Sequence, residues 1–484
     1  MARPPEVRTG VDDEARPEIA SDDLASVGMT RHTHVQLAAA LLMICAACGS
    51  TDNAGGSSDG STSTDPTATN PTSSTPTSST PTSSTPRGLV AVPERQESLV
   101  DPTIAGRAVD GFGFDLFAAA AAAADPAANL VISPLSIAVA LGMVEPGATG
   151  DAAAQLRSAL RIDDPATWHA SINALALSIE TRELQPPTEI SGEVQDAGEL
   201  HVNIANAAFT QPGYRFLPAY LNAVGTDYGA AIEELDFLTD QVAAAERINQ
   251  FIAEQTDDRI TDLLRAEDID PATVLALVNA VLLQASWQSE FAAADTADAD
   301  FTRLDGSSVT VPLMHGNGGR SGRGDGWVAA SKPLVGGLSF EVVLPDNGRF
   351  DDVAARFDDV VAEFGTSTNP GGELAVPRFE TRVTVGLNEA LQAIGVTAPF
   401  ERGNLLGIAD DPRLVIKKVL HQTWLSIDEQ GIEAAAATIV LVYATSAPVD
   451  EPVSVIIDRP FLFRIVDDTT GAPLFVGRIM DPTA

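Results

Sequence analysis

Cysteine is nearly absent: in 484 residues only Cys45 and Cys48 carry a thiol, both close to the N-terminus. From residue 49 onward the chain therefore has no disulfide, no thiol nucleophile and no zinc-ribbon spacing. A core of this size needs no covalent staples. Lysine is almost as scarce, with Lys332, Lys417 and Lys418 the only three. Sixty-seven acidic residues against 29 basic ones leave a formal charge of −38. Such a surface repels phosphate backbones and anionic polysaccharides, which excludes nucleic acid and any heparin-type patch. Solubility or adaptation to salt explains the acidity more simply than an acidic binding face. The six histidines, at 32, 34, 169, 201, 315 and 421, make no metal-ligand spacing. No G-x-S-x-G elbow, H-E-x-x-H, P-loop or G-x-G-x-x-G occurs. No metal, no cofactor and no enzymatic chemistry are expected.

The N-terminal part reads as address and tether. Residues 35–47 (VQLAAALLMICAA) are apolar but too short to span a bilayer as a stable helix. They follow Met29-Thr30-Arg31 and precede Cys48-Gly49-Ser50, a secretory pattern of the bacterial lipoprotein type in which Cys48 becomes lipidated. Cys45 stands where that pattern carries Leu, and a plain cleaved signal peptide is the alternative. Residues 1–28 are acidic, unlike a leader, so Met29 is the expected start. Residues 49–86 are almost wholly Ser, Thr, Pro, Gly, Asn and Asp, with PTSST repeating from Pro71 to Pro86. That composition cannot offset its ordering entropy and predicts an extended spacer. The division is thus targeting region 1–48, spacer 49–95 and one folded domain 96–484, exported and either anchored to the cell envelope or extracellular.

Within the domain, Gly111–Ala124 predicts an Ala-rich helix, and Asn129–Ile137 a short strand followed by a helix capped by Ser133 with Pro134 in its first turn. Glu145–Pro146 predicts a kink. Val202–Phe209 reads as a strand, and Ala243–Leu264 as a helix interrupted near Thr256–Asp258. Val274–Trp287 is an apolar run suited to a strand covered on both faces. Phe301–Met314 reads as paired strands and Gly316–Gly326 as a glycine-rich loop; its Arg323-Gly324-Asp325 is a chance tripeptide. Further strands are expected at Leu338–Pro345, at Leu374–Phe379 and around His421. With no βαβ rhythm the class is α+β.

The most informative stretch is Asp428–Ser446, DEQGIEAAAATIVLVYATS, with DRPFLF from Asp458. On composition alone a helix is somewhat the better reading, since alanine leads the helix scale. A strand would turn Ile432, Ala434, Ala436, Thr438, Val440 and Val442 inward and Glu433 outward. The ordered pair of motifs decides the matter: they resemble the hinge, reactive centre loop and C-terminal signature of the serpins. SPLSI at Ser133–Ile137, GATG at Gly147–Gly150, LVNAVLLQASW ending at Trp287 and LNEALQAIGVTAPF ending at Phe400 resemble further serpin segments, so the likeness covers residues 105–484.

That resemblance implies a serpin fold with a large central sheet and an exposed loop. It implies a suicide-substrate inhibitor whose partner is a serine protease held in a covalent complex. The hinge would be Glu429, Gly431, Ile432, Glu433, Ala434, Ala435, Ala436, Ala437 and Thr438. Seventeen residues counted from Glu429 put the reactive bond at Thr445–Ser446. No Arg or Lys lies between Glu429 and Asp458, and the small residues near the bond suit elastase-like or subtilisin-like enzymes. Ser133, Ser136, Asn279 and His421 would form the shutter, although Ser133 serves equally well as a helix cap alone. Trp287 would mark the breach where the loop enters, or simply pack in the core. Ile432 replaces the usual Thr or Ser, which keeps alive the rival reading of a non-inhibitory member, cleaved as a substrate or serving as a binding module.

Overall fold

The computed structural model describes residues 89–90, 93–182, 188–190, 193–195, 198–271, 273–432 and 451–484. All lie in one compact unit, Pro81–Ala484. The targeting region, most of the spacer, residues 433–450 of the loop and the bond Thr445–Ser446 fall outside the described residues.

The strands, in chain order, are β1 (Leu89–Val90), β2 (Leu130–Ile132), β3 (Thr188–Ile190), β4 (Glu193–Gln195), β5 (Leu200–Thr210) and β6 (Ala231–Glu234). Then come β7 (Leu275–Ser286), β8 (Ala297–Thr302), β9 (Ser308–Asn317), β10 (Arg320–Gly324), β11 (Trp327–Leu334) and β12 (Leu338–Pro345). The rest are β13 (Gly371–Pro377), β14 (Phe379–Gly386), β15 (Leu420–Ile427), β16 (Gly431–Ile432), β17 (Val453–Ile456), β18 (Phe461–Asp467) and β19 (Pro473–Ile479). The helices are α1 (Pro102–Ala123), α2 (Pro134–Val144), α3 (Gly150–Ala159), α4 (Pro165–Glu180), α5 (Pro218–Tyr228), α6 (Gln241–Gln255), α7 (Phe350–Ala354), α8 (Phe357–Gly365) and α9 (Asn388–Ala393).

Three sheets carry the fold. The largest has the order β1-β6-β5-β7-β16-β15-β14, the second β10-β11-β12-β18-β19-β2, and the third β17-β13-β9-β8. β3 and β4 pair separately. Three helices, α1, α2 and α4, start where the sequence supplies an oxygen cap followed by proline. Asp101 accepts from the Thr103 amide ahead of Pro102, Ser133 from that of Ser136 ahead of Pro134, and Asp164 from that of Thr167 ahead of Pro165.

β7 is covered on both faces, as its apolar run predicts. Val278 and Ala280 pack with Phe237, Ile248 and Ile252 around α6, whereas Leu283 and Ala285 enter the main core with α1 and α2. Each such aliphatic burial stabilises by about 1.5–3 kcal/mol. α6 ends at Gln255, and Asp257 and Asp258 adopt φ of 45° and 60°, which accounts for the interrupted periodicity. Glu145–Pro146 ends α2 in a 3-10 turn rather than kinking it. Glu145 is buried there, bonded by His169 Nε2 at 2.8 Å and by Arg157 Nε. Burial raises its pKa, but these bonds outweigh that and hold the carboxyl below its usual range.

Two expectations need correction. The glycine-rich segment is not simply a loop: Arg320–Gly324 forms β10, paired antiparallel with Ser331–Trp327 of β11, because cross-strand bonds to a long neighbour override the weak β-propensity of glycine. The spacer does not reach residue 95. Leu89–Val90 pair with β6, and Arg95 bonds Asn173 at 2.8 Å and Glu180 at 2.7 Å, so these residues belong to the fold.

Candidate functional site

The site is a seam in the largest sheet. β7 and β15 run parallel, and among the described residues they are joined only through β16. Gly431 pairs with Ser286 and Ile432 with Ala285 on one side, and Ile432 pairs with Ile427 on the other. Below β16 the seam continues as a cavity of about 600 Å³. Leu275, Leu277 and Asn279 of β7, Leu420 and His421 of β15, and Ile137 and Leu141 of α2 line it.

Gly431 has a steric reason to be glycine. A Cβ there would lie 2.3 Å from the Ala285 carbonyl oxygen, and its φ is not left-handed. Close approach of two backbones, more than freedom at a pivot, demands the missing side chain. Ile432 is 1% exposed, and small Ala285 opposite leaves room for its side chain.

The four shutter residues come together under the seam. His421, on β15, accepts the Ser133 backbone amide at Nε2, 3.0 Å away. The lone pair on Nε2 makes the ring neutral with its proton on Nδ1, and burial pushes its pKa down to about 4. Ser133 Oγ meanwhile caps α2 through the Ser136 amide, as its reading as a helix cap has it. From β7, Asn279 Oδ1 accepts the Ser136 hydroxyl in a short bond. Thus the first turn of α2 holds one strand on each side of the seam. Asn279 Nδ2 in turn donates to Asn206 Oδ1 at 2.7 Å, and Asn206 Nδ2 to the Tyr228 carbonyl at 3.1 Å.

Trp287 closes the top of the seam. Its indole Nε1 donates to the Asp428 carbonyl at 2.9 Å, its amide to that of Gln430 at 2.9 Å, and the Phe291 amide to that of Glu429 at 2.9 Å. The Glu429 carboxylate accepts from Thr296 Oγ1 at 2.8 Å and from Arg378 at 3.4 Å. Trp287 is buried as well, packed edge-on against Phe291 and Phe340, as its core reading has it. Beyond the loop, β17 pairs parallel with β13, and buried Ser321 Oγ accepts the Val453 amide at 2.9 Å.

Sequence reading missed Asn206, Phe291, Thr296 and Arg378. A polar residue in the otherwise apolar second half of β5 was the available signal for Asn206. The other three carry none, since only the fold brings them to residues 428–430. Hinge residues Glu433 to Thr438 lie outside the described residues, as does Cys48. Among the described residues no cluster of three or more metal-ligating side chains occurs, and no helix is long and apolar enough to cross a membrane.

The architecture and the seam agree with what comparison finds. A family model described as serpin (serine protease inhibitor) matches residues 107–482. The leukocyte elastase inhibitor of Sus scrofa is 31% identical over 390 residues, spanning 77% of this chain and 97% of that protein. The native-state crystal structure of the thermophilic serpin tengpin superposes with a TM-score of 0.66 at 25% identity, covering 81% of this chain and 97% of that one. Human thyroxine-binding globulin in complex with its hormone gives 0.67 at 25% identity, covering 79% and 100%. With its helices, its large sheets and this match over most of its length, the chain belongs to the serpin family of protease inhibitors.

Proposed function

We propose that this protein traps serine proteases of small-residue preference, elastase-like or subtilisin-like, by inserting its cleaved reactive loop into the seam. The observation that carries the reading is the double register of β16. Six residues beyond Ile432 is Thr438; six before Ala285 is Asn279, and six before Ile427 is His421. Continued strand by strand, the ladder brings the Thr438 hydroxyl between the two polar shutter residues, with Ala434, Ala436, Val440 and Val442 on the same inward face. The small and β-branched composition of this stretch is what a preformed slot would admit.

The mechanism follows. An intact loop binds the protease as an extended substrate and is attacked at Thr445–Ser446. Severed, its N-terminal side slides between β7 and β15, gaining ladder hydrogen bonds at about 0.5–1.5 kcal/mol each and apolar burial at about 25 cal/mol per Å². That free energy distorts the acylated enzyme before water releases it. Intact protein is therefore held by a kinetic barrier. Residues 29–48 export the chain, Cys48 carries the lipid, and residues 49 to about 88 hold the domain away from the membrane. Fatty-acid labelling abolished by Cys48→Ala is the expected check; labelling that persists excludes this anchor.

The protein is mixed with elastase or subtilisin and run on a denaturing gel. A band holding both chains that survives detergent is expected, with a rise in melting temperature after nicking. Cleavage products alone would sink the inhibitory reading. The likeness to thyroxine-binding globulin favours one alternative, a non-inhibitory binding role, for which cleavage without complex would be the mark.

A further inference from the structure

Lys332 is one of three lysines in the chain, yet it is 2% exposed, on β11 at the foot of the breach. Its Nζ lies 4.1 Å from the centre of the Phe291 ring and 5.6 Å from that of Trp287, and donates to the Asn317 carbonyl at 3.3 Å. Phe340, its ladder partner on β12, packs against Trp287. The cation thus sits among rings whose own amides hold the carbonyls of Glu429 and Gln430.

We propose that Lys332 is a positioning residue for the hinge: its ammonium ties Trp287 to Phe291, and through them restrains residues 428–430 until the loop enters. Ammonium–ring attraction within about 6 Å is strong where water is excluded. The charged groups on surrounding elements are engaged elsewhere. Glu341 bonds Arg320 and Arg464, Glu429 bonds Arg378 and Thr296, His315 faces Glu373, and Glu290 on the Trp287–Phe291 segment has its own interaction. Burial pushes the Lys332 pKa down to about 8, which leaves the cation present at pH 7.

This inference rests on the proposed insertion, but its test does not. Hydrogen exchange of the Trp287 and Phe291 amides, corrected for intrinsic rates, reads the clamp in intact protein. At pH 7 protection should fall about tenfold in Lys332→Met and hold in Lys332→Arg. General loosening would lower the protection of β12 amides as well, whereas loss of the clamp should leave it unchanged. Equal protection of these amides in the wild type and Lys332→Met overturns the proposal, and Lys332→Gln makes the same comparison if Lys332→Met fails to fold. With protease present, Lys332→Met should form complex several-fold faster at pH 7. Absence of any complex in the wild type would defeat the inhibitory reading while the exchange data still decide the role of Lys332.

Discussion

Ala436→Arg tests the register of insertion directly. Ala436 is four residues beyond Ile432, opposite Val281 on β7 and Thr423 on β15 if the ladder of β16 continues. Its side chain would share the face of Leu283 and Ala285, which enter the main core. A guanidinium there would be buried without a partner, costing on the order of 3–5 kcal/mol. At about 1.4 kcal/mol per tenfold, insertion slows by about two to four orders of magnitude. Acyl-enzyme would then hydrolyse before the loop is home. Titration of elastase or subtilisin should show inhibitor consumed per protease trapped rising about a hundredfold or more, with the cleavage rate unchanged. Ala435→Arg is the control. It falls opposite Leu282 and Trp424, on the α6 side, where Trp424 is only half-buried and Arg259 already stacks on its ring. A long side chain can reach water from there, so trapping should survive in large part. If Ala435→Arg proves the more damaging of the two, the register is off by one and the reasoning fails.

Other outcomes follow from the same geometry. His421 is depressed from 6.5 to about 4, so its contribution is complete above pH 6.5 and lost as pH falls through 4; the wild type should lose on the order of 3 kcal/mol more than His421→Gln between pH 7 and 4 in urea unfolding. Equal losses would show that the ring is not held neutral by burial. Gly431→Ala forces β16 and β7 apart and should cost the intact protein about 1–3 kcal/mol, read as a lower melting temperature; an unchanged melting temperature would contradict the close approach. Asn206→Ala leaves Asn279 Nδ2 without its acceptor and should cost about 1–3 kcal/mol, while a neutral result would remove Asn206 from the network.

Much of the fold was legible in local patterns. The Ser133–Pro134 start of α2, the apolar run of β7 and the break after α6 each follow from a cap, a period or a pair of aspartates that needs no distant partner. β10 was not legible, because glycine permits a strand without asking for one, and only β11 alongside makes it so.

The same division runs through the site. Sequence by itself determined which residues are small enough to enter a sheet and which polar side chains sit on otherwise apolar elements: properties of single residues and of spacing. Only the tertiary structure decided that Asn279 and His421 flank one seam, that Asn206 orients the first of them, and that Phe291 and Lys332 stand behind Trp287. Those contacts join residues far apart in the chain, and no local propensity encodes a distance between strands.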